Sequence, residues 1–162
     1  MAQHAALKEK LAETRQELME VARELDRQEW SHPVYAHDEE VQWTAGDLLR
    51  HLVWAEGGML RMIQQVKEGG GGVPDDFDLD RYNASGVKKL KDKVPAELLA
   101  IMEKNRQQLL AFIEGLAPED WQKEGRHGSG RMMTIEEVVE MIAGHEAQHL
   151  EDLRRALGEI GD

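Results

Sequence analysis

The sequence predicts an all-α protein, and more specifically a four-helix bundle. Four segments carry apolar residues at alternating three- and four-residue steps, which is the period of one face of an α-helix. No segment shows the regular alternation of a convincing β-strand, and no internal repeat is visible. A chain of 162 residues is long enough for one compact core and too short for two comfortable ones. We therefore expect a single four-helix-bundle domain over residues 1–162.

The first predicted helix covers roughly residues 4–29. Its apolar stripe is interrupted only at Thr14. Ser31-His32-Pro33 ends the helix, because the proline ring disfavours helical geometry in the preceding residue. The stripe consists of Leu7, Leu11, Leu18, Val21 and Leu25.

The second predicted helix begins after Thr44, which forms a variant of the capping box with Asp47. The run of glycines at 69–72 ends it. Its inward residues are Leu48, Leu52, Met59, Met62, Ile63 and Val66.

A polar segment rich in Gly and Asp follows, from Gly69 to about Val94, with a short helix predicted around 82–91. This length suits a crossover between helices that run parallel. Pro95 fits the first turn of a third helix, and Asn105 lies on its seam. The apolar seam residues are Leu98, Met102, Leu109, Phe112 and Leu116.

The fourth predicted helix follows a loop at 117–133 and opens with a capping box of Thr134 and Glu137. Two histidines, His145 and His149, occupy successive positions on its apolar stripe, about 40° apart around the axis and roughly 6 Å along it. They are therefore expected to point into the bundle. The rest of the stripe is Ile135, Val138, Ile142, Leu153 and Ala156.

Two histidines on one core seam favour a metal site. Each buried imidazole needs polar partners for both nitrogens, and a bound cation supplies one of them. His51 stands on the inward stripe of the second helix and is our candidate for a third ligand. Three neutral histidines leave a fourth position open, as in catalytic zinc sites. The other four histidines, His4, His32, His37 and His127, are expected to be exposed to solvent. Of these, His32, His37 or His127 could line the mouth of a pocket.

The residues 145–149 read HEAQH, which matches the H-E-x-x-H pattern of zinc peptidases. Such peptidases take a third ligand downstream, but the position of the last histidine in the extended pattern is Arg155. We therefore do not predict a peptidase. A di-iron bundle would need two E-x-x-H motifs and two further inward glutamates. The two motifs are Glu29–His32 and Glu146–His149, but His32 precedes a proline at a helix end and only Glu56 is a candidate inward glutamate. A di-iron site is therefore the less favoured interpretation.

Composition narrows the classes of partner and compartment. The net charge of −12 predicts that nucleic acid is not a partner, because it would repel a phosphate backbone. No apolar run could span a bilayer and the N-terminus lacks a signal-peptide pattern, so we expect no membrane association and a cytoplasmic protein. With no cysteine in the chain, a metal would be held by His, Asp or Glu.

At these same positions the sequence resembles the DinB/YfiT-like superfamily of metal-dependent bundle proteins. The resemblance covers about residues 5–158, and its order of motifs and its His…HxxxH spacing are more specific than any single string. The strings that carry it are WTAGDLLRHLVWAEGGML, DLDRYNASGVKKL, PAELLAIMEKNRQQLLAFIEGLAPEDW and MTIEEVVEMIAGHEAQHLEDL.

The resemblance implies an up-down-down-up bundle with a long crossover between the second and third helices. Its metal triad maps onto His51, His145 and His149. The family implies a divalent metal, zinc or nickel first and iron or manganese as further options. Characterised relatives use such a metal to activate a low-molecular-weight thiol such as bacillithiol or mycothiol, which makes a small-molecule thiol or electrophile the expected substrate. The resemblance also makes a homodimer, formed through a face of the bundle, a possible assembly.

Two functions follow as hypotheses. The first is a metal-dependent thiol S-transferase or hydrolase, in which Glu146 is a candidate catalytic base or a residue that orients a ligand. The second is a non-enzymatic stress or ligand-binding protein that a metal stabilises. Four further residues could border a pocket or pack in the core: Trp43, Trp54, Asn105 and Arg106.

Overall fold

A computed structural model describes residues 2–34 and 43–161, with side chains through residue 158. Six α-helices are present in these residues, and four of them, α1, α3, α5 and α6, pack together as a bundle. The four-helix-bundle prediction is therefore confirmed. The helices are α1 (Ala2–Glu24), α2 (Arg27–Trp30), α3 (Ala45–Lys67), α4 (Leu79–Lys89), α5 (Pro95–Glu114) and α6 (Ile135–Gly161).

Local signals place three of the helix starts where the sequence predicted them. The Asp47 N–H donates to the hydroxyl of Thr44, and the Thr44 N–H donates to the Asp47 carboxylate. Thr134 and Glu137 make the same reciprocal pair at the start of α6. Pro95 is the first residue of α5. These contacts satisfy backbone donors that a helix start otherwise leaves without partners.

The first helix is shorter than the sequence predicted. Asp26 accepts a hydrogen bond from the Glu29 N–H, and the Glu29 carboxylate accepts one from the Asp26 N–H. This capping box begins a new helix, so the predicted single helix is divided into α1 and α2. The periodicity of the apolar residues does not report such a break, because the predicted stripe ends at Leu25, before α2 begins.

The contacts between helices show their relative directions. In the contacting residue pairs between α3 and α5, the residue numbers increase together along both helices, so these two helices run in the same direction. The same holds for the contacting pairs between α1 and α6. The segment that joins α3 to α5 contains α4, which starts at Leu79 because the Asp78 carboxylate accepts from the N–H of Arg81. The pairs are Val53 with Asn105, Lys67 with Phe112, Gln3 with Glu136 and Glu17 with Arg154.

A small β-hairpin lies where the sequence predicted a loop. Strand β1 (Glu124–Arg126) pairs antiparallel with β2 (Met132–Thr134), and a short 3-10 helix (Pro118–Gln122) precedes them. Gly72 rests on this hairpin with φ +88°, and a Cβ there would lie 2.3 Å from the backbone nitrogen of Arg126. Three-residue strands are too short to show alternation, so the expectation of no strand was wrong here.

The core of the bundle consists of two apolar clusters. One cluster contains Leu11, Ile63, Leu109 and Val138, and the other is built from the opposite ends of the same helices. The second cluster includes Leu18, Leu48, Leu98, Met102 and Leu153. No helix in the described ranges is both long enough and apolar enough to cross a lipid bilayer.

A layer of charged side chains lies between the two apolar clusters. Each bundle helix contributes one residue, and all four are buried. We call this set the buried charge layer: Arg15 of α1, Glu56 of α3, Arg106 of α5 and Glu146 of α6.

Candidate metal centre

Three histidines from two helices converge inside the bundle. Nε2 of His145 lies 3.1 Å from Nε2 of His51 and 2.9 Å from Nε2 of His149. One nitrogen from each of the three rings can be chosen so that all lie within 4.8 Å of one another, and no other such group of His, Asp or Glu occurs in the described residues. The structure therefore brings together the three histidines that the sequence selected.

The helices place these rings for simple reasons. His51 follows the buried Leu48 and Leu49 on α3 and is itself 5% exposed. His145 and His149 are one turn apart on α6, so both face α3 at the level of His51. The three-histidine cluster is therefore set by the register of one helix pair.

Burial favours the neutral form of these rings. It lowers the pKa of His51 to about 3, with His145 and His149 adding to the effect. It also lowers the pKa of His145 to about 4, with contributions from His149 and His127. The pKa of His149 is lowered too, although Asp152 opposes the shift. The rings thus keep free lone pairs at neutral pH, which metal coordination requires.

These shifts predict that the metal-free protein loses stability as the pH falls. A histidine with a lowered pKa contributes stability above its unfolded pKa of about 6.5, and this stability is lost as the pH falls toward its folded pKa. Between pH 7.5 and 5.5 each of His51 and His145 should remove about 1 kcal/mol from the free energy of unfolding. Urea unfolding of chelator-treated protein at both pH values measures the sum. In His51→Leu the pH-dependent loss should be smaller because the contribution of this ring is removed, and an unchanged loss would contradict the assignment.

The geometry of the cluster fits a divalent metal. Imidazole nitrogens lie about 2.0–2.1 Å from zinc, so two ligands at tetrahedral to octahedral angles are about 2.9–3.4 Å apart. The observed separations of 2.9 and 3.1 Å fall in that range. Neutral imidazoles at this spacing form a donor set that suits zinc, nickel, copper or iron.

The outer nitrogens of the rings differ in their surroundings. Nδ1 of His149 lies 3.5 Å from a carboxylate oxygen of Asp152, which can orient the ring. Nδ1 of His51 is buried without a hydrogen-bond partner among the described residues. The ring of Trp43 lies beside His51, with 4.7 Å between centroids. Trp43 thus forms part of the surroundings of the cluster.

Glu146 belongs to the buried charge layer. One of its oxygens accepts a hydrogen bond from Nε of Arg15 at 2.7 Å, and the other accepts from Nη2 of Arg106 at 2.9 Å. Glu56 also accepts from both arginines. In the described part of the chain these contacts account for both Glu146 oxygens, so a role as catalytic base stays a prediction without a supporting contact.

A cavity of about 500 Å³ adjoins the cluster, and His51 and His145 form part of its wall. The wall is formed by α3, the connection to α4, α4 itself, the turn after β1, and α6. Most of its surface is apolar, contributed by Met59, Met62, Val73, Phe77, Leu79 and Met141. The site thus combines nitrogen ligands with room for a small molecule.

The other candidates lie in different places. Asn105 donates to the carbonyl of Val53, and Arg106 is held by two glutamates, so neither lines this cavity. Glu56 and Glu146 raise the pKa of Arg106, outweighing burial, which alone would lower it. Trp54 packs against Tyr82 and is not in the cavity wall either.

The remaining histidines were only partly anticipated. His127 is buried and lines the cavity, so its expected solvation was wrong, and its alternative place at a pocket is the one observed. The turn 127–131, HGSGR, carries two glycines between short strands and is the signal that could have indicated it. His4 stacks on Trp121 at 3.9 Å. His37 lies outside the described residues.

Comparison with known proteins identifies the family. The family model described as the DinB superfamily matches residues 10–153, which is most of the chain. The chain belongs to the DinB superfamily. No curated protein sequence matches this DinB-superfamily chain.

Solved structures share its fold. YfiT from Bacillus subtilis, described as a probable metal-dependent hydrolase with an unusual four-helix-bundle topology, has a TM-score of 0.83 at 16% identity, over 99% of this chain and 89% of YfiT. A mycothiol-dependent maleylpyruvate isomerase has a TM-score of 0.78 at 14% identity, over 93% of this chain and 60% of the isomerase. At such identities the similarity shows a common fold.

A third structure corrects the prediction about nucleic acid. The colibactin self-resistance protein ClbS, solved in complex with a double-stranded DNA, has a TM-score of 0.76 at 16% identity, over 95% of this chain and 94% of ClbS. The exclusion of nucleic acid from net charge was therefore wrong. Net charge sums over the whole surface, whereas binding to phosphates depends on where the positive groups lie.

Proposed function

We propose that this protein is a metal-dependent enzyme in which His51, His145 and His149 hold a divalent metal, zinc or nickel, and leave a coordination position open. The observation that carries this proposal is the convergence of three Nε2 atoms at separations of 2.9 and 3.1 Å beside an apolar cavity. The favoured reaction is transfer of a low-molecular-weight thiol to an electrophile, with hydrolysis as the alternative use of the same site.

The donor set supports this chemistry. Three neutral imidazoles add no negative charge, so a bound divalent metal would keep its full charge and lower the pKa of a thiol or water at the open position. The chain has no cysteine, so the thiol must come from a second substrate. The structurally similar proteins support the same proposal, since YfiT is described as a probable metal-dependent hydrolase and the isomerase as mycothiol-dependent.

The protein's own residues would bind and position the reactants. Side chains such as Met59, Phe77 and Met141 form an apolar wall that can hold an electrophile and exclude water. The buried charge layer fixes the backbone of α6 next to His145 and His149, because Glu146 bonds to arginines of two other helices. We infer that Glu146 positions the ligand-bearing helix.

Metal content tests the site. Untagged wild-type protein loaded with zinc or nickel and then desalted should retain about one metal ion per chain, because three nitrogen ligands converge on one point. His51→Ala should retain little, measured by elemental mass spectrometry. His32→Ala is the matched control, since His32 lies outside the cluster. Equal metal content in wild type and His51→Ala would remove His51 from the site.

Turnover tests the reaction. Metal-loaded protein should consume an electrophile in the presence of bacillithiol, mycothiol, glutathione or coenzyme A, and the rate should fall by at least about 100-fold in the metal-free form. Metal retention without turnover of any thiol, and without hydrolysis of activated esters, would instead favour a metal-stabilised binding protein.

A further inference from the structure

His127 is a buried residue of the cavity wall whose side chain the proposed reaction does not use. Its backbone N–H donates to the carbonyl of Arg131 at 2.9 Å, and its carbonyl accepts from the Gly130 N–H at 2.9 Å. These bonds close the turn between β1 and β2 and hold the imidazole against the cavity.

The contacts of Nδ1 determine which nitrogen carries the proton. The backbone N–H of Ser129 donates to Nδ1 of His127 at 3.1 Å, and the Ser129 hydroxyl oxygen lies 2.9 Å from the same atom. A nitrogen that accepts from a backbone N–H must present a lone pair, so the proton of the neutral ring is on Nε2. Burial, with a smaller effect of Arg131, lowers the pKa of His127 and so favours the neutral ring.

The Nε2–H of His127 is left for a guest molecule. All polar contacts of its side chain within the described residues are made by Nδ1. Two other polar side chains of the wall are paired with the protein: Arg61 donates to the Tyr82 hydroxyl at 3.1 Å, and Gln65 exchanges two hydrogen bonds with the backbone of Gly72. A donor that faces a mostly apolar cavity without a protein partner favours a ligand that brings an acceptor.

We propose that the cavity binds a neutral, mostly apolar molecule with a carbonyl group, whose oxygen accepts a hydrogen bond from Nε2–H of His127. In the metal-free protein the wall favours a neutral carbonyl over a carboxylate, because a buried anion would need a cation and the cavity's arginine, Arg61, is exposed. His127 and His145 line the same cavity, so a molecule bound through His127 occupies the space that adjoins the three-histidine cluster. That this molecule is the electrophile of the reaction rests on the proposed function, whereas its binding does not.

Two probes that differ only at the carbonyl test the inference. Chelator-treated protein would be titrated with 4-phenylbutan-2-one and with butylbenzene, and the dissociation constants measured by ligand-observed NMR. Comparing the ratio of the two affinities between wild type and a variant cancels most of the difference in hydrophobicity between the probes. In His127→Leu this ratio should shift against the ketone by about 3- to 10-fold, the worth of one hydrogen bond.

Two further variants separate the donor from simple packing. His127→Gln, which can present an amide N–H near the same point, should restore part of the preference for the ketone. Asn83→Leu changes another polar residue of the cavity wall, and it should leave the ratio within about twofold. An equal ratio in wild type and His127→Leu would overturn the inference, as would a larger loss in Asn83→Leu.

Wild-type protein offers a test that does not depend on a variant folding. Long-range proton–nitrogen NMR spectra report which nitrogen of His127 is protonated, and a proton on Nδ1 would overturn the inference. Because ketone binding is measured without metal, it can fail while the proposed function holds, and the reverse. If His127 makes no difference to the ketone preference but turnover still depends on metal, only this inference is overturned. If the ketone preference depends on His127 but the protein binds no metal, this inference is supported and only the proposed metal site is overturned.

Discussion

Arg106→Met should lower the free energy of unfolding by about 3–5 kcal/mol, which in a domain of this size is a fall in Tm of roughly 6–20 °C. Arg106 is 3% exposed and donates to Glu56 at 2.9 and 3.3 Å and to Glu146 at 2.9 Å. Its removal leaves two buried carboxylates with one guanidinium between them. The cost comes from these uncompensated charges, because methionine fills much of the volume of the lost side chain.

Arg154→Met is the matched control for this experiment. Arg154 makes an ion pair with Glu17 at 3.3 Å, but both side chains are about half exposed. Solvent screens such a pair, so its loss should change the unfolding free energy by less than about 1 kcal/mol. Chemical denaturation of the two variants gives the comparison. Similar small effects in both would mean that the buried charge layer contributes no more than a surface contact.

Zinc or nickel should raise the Tm of the chelator-treated protein by roughly 8–16 °C at a free metal concentration of about 1,000 times the dissociation constant. At that excess, binding to the folded state alone adds about 4 kcal/mol to the free energy of unfolding. The ligand atoms of the three histidines are already within 4.8 Å of one another, so little rearrangement opposes binding. Removal of the metal should reverse the shift.

His145→Ala should abolish most of that shift. Nε2 of His145 lies within 3.1 Å of Nε2 in both other rings, so His145 is the central ligand of the cluster. Its loss leaves only two histidine ligands. His32→Ala, which alters a histidine outside the cluster, should keep the full shift. An undiminished shift in His145→Ala would place the metal elsewhere in the protein.

The order and type of the main helices could be predicted because they depend on local patterns. Apolar residues at helical spacing gave the seams of the bundle, and the capping residues Thr44 and Thr134 marked two starts that the structure confirms. The same periodicity selected His51, His145 and His149, because a histidine on an apolar seam faces the core wherever the partner helices lie.

The buried charge layer was missed, although its positions follow the seam spacing. Arg15 lies four residues after Leu11 and three before Leu18, which is the step of a core residue. From the sequence of one helix alone, such a residue is interpreted as a solvated charge at the edge of the apolar face. Only the packed bundle shows that each charged side chain pairs with partners from other helices, and these pairings offset the free-energy cost of burying the charges.

By itself the sequence determined the helices, the faces they turn inward and the three histidines that those faces carry, because helical periodicity is a property of neighbouring residues. The tertiary structure decided the rest. It set the distances of 2.9 and 3.1 Å between ring nitrogens, engaged Glu146 with two arginines, and folded a hairpin that places His127 in the cavity wall. These features join residues far apart in the chain, and their geometry depends on how whole helices pack.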